Sequence, residues 1–536
     1  MRTRYFPSPL SPLSGALVIA VLGASAAALG ACTSPSEATA ESEAEQVVNP
    51  YRNLPTGITT DVGSLREVIE RSKTEGACDR HFVRLDPRTE KFRAGEGQEL
   101  AARRDLVLCG KHLFFNLPFP SDTAVPENLL RALFDVFPDV TGPAMSKLGF
   151  RENPDEPGMP LEFPVIPSTK EGPVKLLTGK VRTMTCVACH MGQLPDGTFS
   201  VGMPNEKLDL ATFSKLTQYP LWLTGTESER RDPTVWTAES QAYFTGLRDK
   251  SKGVFHSSRI MLDLADTMGF FGAGGAVRDA AGQDPVPLSD QRSFFLAKPG
   301  QLNPSSPMLS EPHVDIYESS PGIWDMAHHE GEAMGEPYLG RITSARSLEE
   351  FVRQAYVYTT LRTEFSTPKW VDPLAAYVRT LRTPKAPTLD TAADRAAGTS
   401  LFVRDCASCH NGYRGSTLQV QPLDAAGTPL AFDRLFENYS PPTRQSKQAL
   451  EGLQKVGMLP LHRKGIKSRR FDGLWLRTKL GYNGAIEGLD HLLCLNGQTR
   501  KTLDRSVPTA DSTHAELCSN YTPEERRYLR AYLRQF

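Results

Sequence analysis

The sequence predicts a mainly α-helical fold of two helical domains, the first carrying large loop-rich insertions, with little β structure. Three observations carry this expectation. Apolar residues recur at helical spacing over 209–221, 238–250, 347–361, 392–402 and 522–535, with a single strand-like alternation read at 198–201. The 41 prolines and 42 glycines in 536 residues break these stretches into pieces joined by loops. Finally, Cys186-Val187-Ala188-Cys189-His190 recurs as Cys406-Ala407-Ser408-Cys409-His410, so two separate regions carry the same chemistry.

That chemistry follows from the spacing. On a helical turn, residues three and four apart share a face, so two thiols can bond the vinyl groups of a haem while the adjoining histidine reaches its iron. C-x-x-C-H is therefore the attachment pattern of haem c. A structural zinc site built from both C-x-x-C pairs would normally close within a few tens of residues, and it leaves the histidines unexplained. A thioredoxin-like redox pair needs a βαβ setting, and neither motif follows a strand-like apolar run. Two covalently bound haem c groups are expected, held by Cys186, Cys189, Cys406 and Cys409, with His190 and His410 as proximal iron ligands.

The formal net charge of −1 and ordinary hydrophobic content exclude a broad basic surface for nucleic acid and exclude wholesale disorder. At the N-terminus, Arg2 and Arg4 precede an apolar run, 16–28, too short for a comfortable membrane span and ending in small residues. Residues 1–31 read as a secretory signal. They end in Leu29-Gly30-Ala31-Cys32, which resembles a bacterial lipobox and implies a lipid anchor on Cys32; the alternative is ordinary cleavage nearby. Residues 32–50, rich in Ser, Thr, Ala and Glu, suit a flexible tether. The expected location is periplasmic or on the outer surface, attached to a membrane by that lipid.

Export also bears on the remaining cysteines. Removing Cys32 and the four motif cysteines from the nine leaves Cys78, Cys109, Cys494 and Cys518. An oxidising compartment favours pairing them. Of the three connectivities, the local pairs Cys78 with Cys109 and Cys494 with Cys518 cost least in loop closure.

Along the chain, residues 51–385 form the first domain. Residues 64–72 look helical, and 114–120 and 134–137 read as aromatic core and turns. The first haem motif opens a helix, and the Pro195-Asp196-Gly197 turn leads into the short strand. An apolar helix over 259–268 runs into the glycine-rich loop 269–275. After Trp370 an amphipathic helix ends in a proline-punctuated linker near 383–389. Both domains read as cytochrome c-like haem domains: the second, 390–536, begins with a helix delivering Cys406 to His410, as in small cytochromes c, and ends with a basic periodic helix that should cross it.

Several of these stretches carry a likeness. The glycine-rich approach 149–163 ending in a proline-apolar-Phe step, the Thr185-to-Leu194 core around the first motif, the Ser320-Pro321-Gly322-Ile323-Trp324-Asp325 segment and the segment 467–493 resemble the di-haem cytochrome c peroxidase superfamily. The likeness is closest to the branch with the di-haem rubber oxygenases and the methylamine-utilisation di-haem enzyme. It touches about half the chain in patches: 145–213, 315–380 and 390–536. One departure stands out: where the family has a histidine before Asn-Gly, this chain has Tyr482. The acidic distal glutamate of the peroxidases has no counterpart in its usual local pattern.

The distal side of each iron decides function, because an iron with six protein ligands transfers electrons while an open one binds peroxide or dioxygen. For the second iron the candidates are Tyr482, His491, His462 and Met458. A tyrosine ligand has precedent in the methylamine-utilisation enzyme. Around the first iron, Phe270, Phe271, Phe294 and Phe295 are candidates for an apolar wall, as the rubber-oxygenase likeness implies. His313, His328 and His329 are the candidate acid-base groups, with His256 beside them. The likeness places Trp324 near the first haem and the interdomain seam, a position suited to shortening the electron path.

The function these readings imply is an exported di-haem c-type oxidoreductase. The C-terminal haem relays electrons from a small redox protein or quinone-linked donor, and the N-terminal haem reacts with peroxide or dioxygen. Alternatives are a pure electron carrier with both irons six-coordinate, and a haem-based sensor.

Overall fold

Mainly helical packing follows from three hydrophobic clusters, each built where amphipathic helices meet. The computed structural model describes residues 61–92, 99–117, 125–166, 180–224, 226–232, 238–251, 301–302, 318–319, 322–329, 345, 347–360, 367–410, 420–421, 466–467, 470–481, 484, 486–497 and 514–536. The expected signal, the tether with Cys32, the helix 259–268 and the loop 269–275 lie outside these residues. No helix among the described residues is long and apolar enough to cross a membrane.

The first cluster joins the N-terminal helices to the stretch before the linker. Ser64 caps the helix Leu65–Ser72 in a reciprocal box with Glu67, which satisfies donors that a helix start otherwise leaves open. Its apolar stripe, Val68 and Ile69, packs with Leu106, Val107, Leu113 and Phe114 of Glu99–Asn116 and with Val371, Leu374 and Tyr377 of Pro368–Val378. The last two helices cross so closely that a Cβ on Gly110 would lie 1.8 Å from the Pro373 carbonyl oxygen. Cys78 and Cys109 form a disulfide across the same layer, as loop-closure cost favoured.

The second cluster gathers Glu127–Val136, Leu210–Thr224 and Ala238–Ser251 around a knot of Phe150, Phe163 and Phe213, whose rings lie 5.1 to 5.5 Å apart. Offset and edge-on aromatic pairs at such spacing add to the area they bury. The third cluster draws only on residues 401–536. Ala392–Asp405 lies against Pro523–Leu533, with a Cβ on Gly398 falling 2.0 Å from the Tyr528 carbonyl oxygen. Thr391 and Thr522 cap the two helices, and the Cys494–Cys518 disulfide joins the end of Gly488–Leu492 to Leu517–Asn520.

Strands are two or three residues long. Val62–Gly63 and Met191–Gln193 both pair antiparallel with Phe199–Val201, in the register Val62↔Ser200 and Met191↔Val201. A second small sheet sets Val181–Arg182 between Val125–Pro126 and Val165–Ile166. One expectation changes here: the first motif does not open a helix but occupies a single turn, Val187–His190, and passes straight into strand at Met191. The reason is the hairpin, whose hydrogen bonds with 199–201 capture the backbone that a longer helix would use.

One buried group makes stability depend on pH. His81 is fully buried, stacks on Phe92 at 5.8 Å, and neither ring nitrogen has a hydrogen-bond partner. Burial, reinforced by Arg84 and only partly offset by Asp105, pushes its pKa down to about 4. An unfolded histidine titrates near 6.5. Above that pH both states are neutral; as pH falls from 6.5 to 4 the unfolded chain takes up a proton that the fold refuses. Stability is expected to drop across that window by up to about 3 kcal/mol. Denaturant unfolding at stepped pH should show the fall, and His81→Phe should flatten it.

Candidate functional site

Each C-x-x-C-H segment is one helical turn, and the turn itself brings cysteine and histidine to the same side. His190 N–H donates to the Cys186 carbonyl at 3.1 Å, and His410 N–H to the Cys406 carbonyl at 2.9 Å. Around the first motif the backbone is clamped further. The Asn205 side-chain amide donates to the Ala188 and Gly149 carbonyls, both at 2.9 Å, and its own N–H donates to Cys189 O at 2.8 Å. Val187 and Ala188 are fully buried in different clusters, the first and the second, with Cys186 packed against one and Cys189 against the other. The first motif therefore sits on the seam between two cores. The second closes the helix Ala392–Asp405, and its histidine ring stacks on Phe471 at 5.0 Å and 27°.

Cysteine chemistry separates the motifs from the rest. Cys78, Cys109, Cys494 and Cys518 are disulfide-bonded, whereas none of the four motif cysteines is. Burial pushes the Cys186 and Cys189 thiols up to about 12, in the second case against the pull of Arg151, and Cys406 up to about 11. These are neutral thiols, not activated thiolates. Among the described residues no group of three or more His, Cys, Asp or Glu side chains is arranged to hold a metal ion, so the two pairs do not converge on a four-thiol site. The donor set, two thiols and one imidazole on each turn, fits covalent haem c.

Arg151 and Glu162 form a buried pair behind the first motif. Nη1 bonds Glu162 Oε1 at 3.0 Å, Nη2 donates to the Met191 carbonyl, and the Arg151 N–H reaches both carboxylate oxygens. Burial raises the Glu162 carboxyl more than Arg151 lowers it. A carboxyl group therefore stands near Cys189 after all, although its sequence surroundings are unlike the peroxidase pattern.

The two motifs are joined through Trp324. Its ring is fully buried, and its indole N–H donates to the Val201 carbonyl at 2.8 Å. A Cβ on Gly202 would lie 2.4 Å from the ring on one side, and a Cβ on Gly473 would lie 2.2 Å from it on the other. Both glycines also have φ in the left-handed region, +93° and +68°, where other residues are strained. Gly202 N–H bonds the His190 carbonyl at 2.7 Å, and Phe471, two residues before Gly473, stacks on His410. A packed path thus runs from His190 through Gly202, Trp324, Gly473 and Phe471 to His410. Arg470 locks it by donating to the Trp324 and Gly322 carbonyls at 2.7 and 2.9 Å.

Of the expected distal groups, His491 is described, and its Nδ1 accepts the Glu487 N–H at 3.0 Å. That bond ties the ring to the start of its own short helix, Gly488–Leu492. His328 and His329 occupy the turn Met326–His329 that follows Trp324, but their side chains lie outside the described residues. So do Tyr482, His313, His256, His462, Met458 and the four phenylalanines of the proposed apolar wall.

Sequence reasoning missed His514. Its ring lies 5.8 Å from that of His410, at 61°, and its Nδ1 lies 3.6 Å from Glu516 Oε1. Four residues on, Cys518 is joined to Cys494 by a disulfide, and the Arg526 guanidinium donates to the carbonyls of both cysteines. A histidine four residues before a paired cysteine was the only available hint.

No family model matches the chain, and no curated protein matches it. Among solved structures, a chain of a xenon-pressurised hydrazine synthase from Kuenenia stuttgartiensis is similar at 13% identity, over 41% of this chain and 73% of that one, with a TM-score of 0.27. A likeness of that size carries no argument.

The glycine clamp is open to direct test. Gly473→Ala places a methyl group against the indole and is expected to destabilise the fold by about 1–3 kcal/mol. Gly246→Ala, in a helix with nothing within 4 Å of the new Cβ, should be neutral or slightly stabilising. Paired denaturant curves give the comparison.

Proposed function

We propose that this protein is an exported di-haem c-type oxidoreductase. One haem is bound at Cys186, Cys189 and His190 and reacts with peroxide or dioxygen; the other is bound at Cys406, Cys409 and His410 and relays electrons. The observation that carries this reading is the pairing of two haem-attachment turns, their thiols outside any disulfide, with a continuous packed bridge through Trp324. The two disulfides in the same chain agree with an oxidising compartment.

Haem, when bound, supplies an iron that changes oxidation state and can take an exogenous ligand. The chain's own groups do the rest. Each thiol adds across a vinyl group, sulfur bonding one carbon and the thiol proton ending on the other. His190 and His410 are the proximal ligands, held by the helical turns that carry them.

His514 is the proposed second ligand at the C-terminal motif. Two imidazoles sharing one ion through bonds of about 2 Å have ring centres about 6 Å apart, and His410 and His514 are 5.8 Å apart. Glu516 Oε1 stands 3.6 Å from Nδ1, within ion-pair reach, and would leave Nε2 for the metal. With His410 and His514 both as ligands, the haem held there would suit electron relay. The first motif lies among far more elaboration, with His313, His328 and His329 as the proposed proton-handling groups. Trp324 is the proposed electron bridge between the two.

Expression with a haem c maturation system should give a covalent mass increase of two haems. Cys186→Ala with Cys189→Ala should remove one, and Cys406→Ala with Cys409→Ala the other, by haem stain and intact mass. Loss of neither refutes the assignment. His514→Asn, chosen because the residue has φ of +59° and asparagine tolerates that region, should leave both haems attached and convert one iron from low to high spin. Electron paramagnetic resonance of the ferric protein reads this directly; an unchanged spectrum refutes the ligand.

A further inference from the structure

Asp61, Lys111 and Tyr377 form a polar group in the middle of the first cluster, and nothing above uses it. All three side chains are 2% exposed or less. Lys111 Nζ lies 2.5 Å from Asp61 Oδ1, and the Tyr377 hydroxyl donates to Asp61 Oδ2 at 2.5 Å. Arg71 Nε stands 3.6 Å from Oδ1 and is the member that reaches solvent, at 35% exposure. Phenylalanine would fill the same core position without burying a hydroxyl, so packing alone does not call for tyrosine.

The group is wired to the bridge. Asp61 O accepts the Val201 N–H at 3.0 Å, Val201 O accepts the Trp324 indole N–H, and the next residue, Gly202, bonds the His190 carbonyl. Trp324, the first motif and Asp61, which accepts the Tyr377 hydroxyl, therefore bond to two adjacent residues, Val201 and Gly202. A phenol gives up an electron readily only when its proton has somewhere to go, and here the acceptor is already in place. The site is also buried, which shields a radical from solvent.

We propose that Tyr377 is a one-electron redox site coupled through Trp324 to the first motif. The inference rests on the reading that Cys186–His190 holds a redox-active haem, with hydrogen peroxide as oxidant. Peroxide takes up two electrons and two protons to give two waters. One electron comes from the haem site and the other from Tyr377. Its O–H bond breaks, the proton moves to Asp61 Oδ2, and a neutral phenoxyl radical remains. The two protons that peroxide consumes come from solvent. Two later one-electron transfers from a small redox-protein donor restore the haem site and Tyr377, and the proton returns from Asp61 to the phenol oxygen.

The test uses full-length haem-loaded protein, mixed with hydrogen peroxide, frozen and examined by electron paramagnetic resonance. Ring-deuterated tyrosine should narrow the radical signal, Tyr377→Phe should abolish it, and haem content should stay at two. Because the chain has 15 tyrosines and Tyr377→Phe also removes a buried hydrogen bond to Asp61, 3-fluorotyrosine at position 377 is the second arm. It keeps the hydroxyl, and fluorine splitting should appear in the signal. Haem-loaded protein that consumes peroxide yet gives no tyrosine signal, or one without fluorine splitting, overturns the proposal alone. Protein that carries no covalent haem, or carries it and leaves peroxide untouched, overturns the haem reading and this proposal with it.

Discussion

The fit of one indole between two glycines governs how this molecule is assembled. Trp324 fills a slot whose walls are the backbone at Gly202 and Gly473, and no larger residue fits at either place. Because Gly202 follows the first motif and Gly473 belongs to the segment that packs on the second, the slot sets the relation between the two. Neighbouring bonds then hold the chain around it. Asp325, in the left-handed region at φ +52°, accepts the Thr383 N–H and hydroxyl at 3.0 and 2.6 Å, while its own N–H reaches Leu381 O. Trp475 donates to Pro384 O at 3.3 Å, and Glu206 accepts the N–H groups of Thr478 and Lys479. The proline-rich linker is thereby fastened to the seam on both sides.

Similar five-residue motifs end up in different surroundings for a physical reason. The first is flanked by a strand hairpin and by two cores, so its backbone is clamped and its cysteines are desolvated from both sides. The second terminates the helix Ala392–Asp405, which packs against Pro523–Leu533 in a cluster that includes Phe471, Phe402 and Tyr532. Burial pushes both thiols of the first motif up to about 12, and Cys406 of the second up to about 11. The proposed division between a reacting site and a relaying site follows this asymmetry, and the approach of His514 to His410 is its counterpart at the relaying end.

Much of the fold was legible from local chemistry. Capping residues, helical apolar spacing and turn residues are properties of neighbours in sequence, and the helices at Leu65–Ser72, Leu348–Thr360, Ala392–Asp405 and Pro523–Leu533 appear where those signals lie. Both disulfides join the local partners. Less legible was anything set by distant partners. His491 was one of four candidates for the second iron, and only the fold shows its Nδ1 accepting the Glu487 N–H. His514 carried no pattern of its own, and only the fold brings it beside His410.

The amino-acid order by itself determined which residues carry chemistry: two C-x-x-C-H turns, because thiol and imidazole spacing on one turn is a local matter, and four further cysteines, because loop closure favours near neighbours. The tertiary structure alone decided how those turns relate. Trp324 is as apolar as any tryptophan in the chain, and only the close approach of Gly202 and Gly473, 271 positions apart in number, makes it the bridge. Asp61, Lys111 and Tyr377 are likewise unremarkable in sequence and become one buried group only when three elements pack. Long-range packing chooses its partners by shape and by the need to satisfy buried polar atoms, and neither requirement leaves a trace in the spacing of residues along the chain.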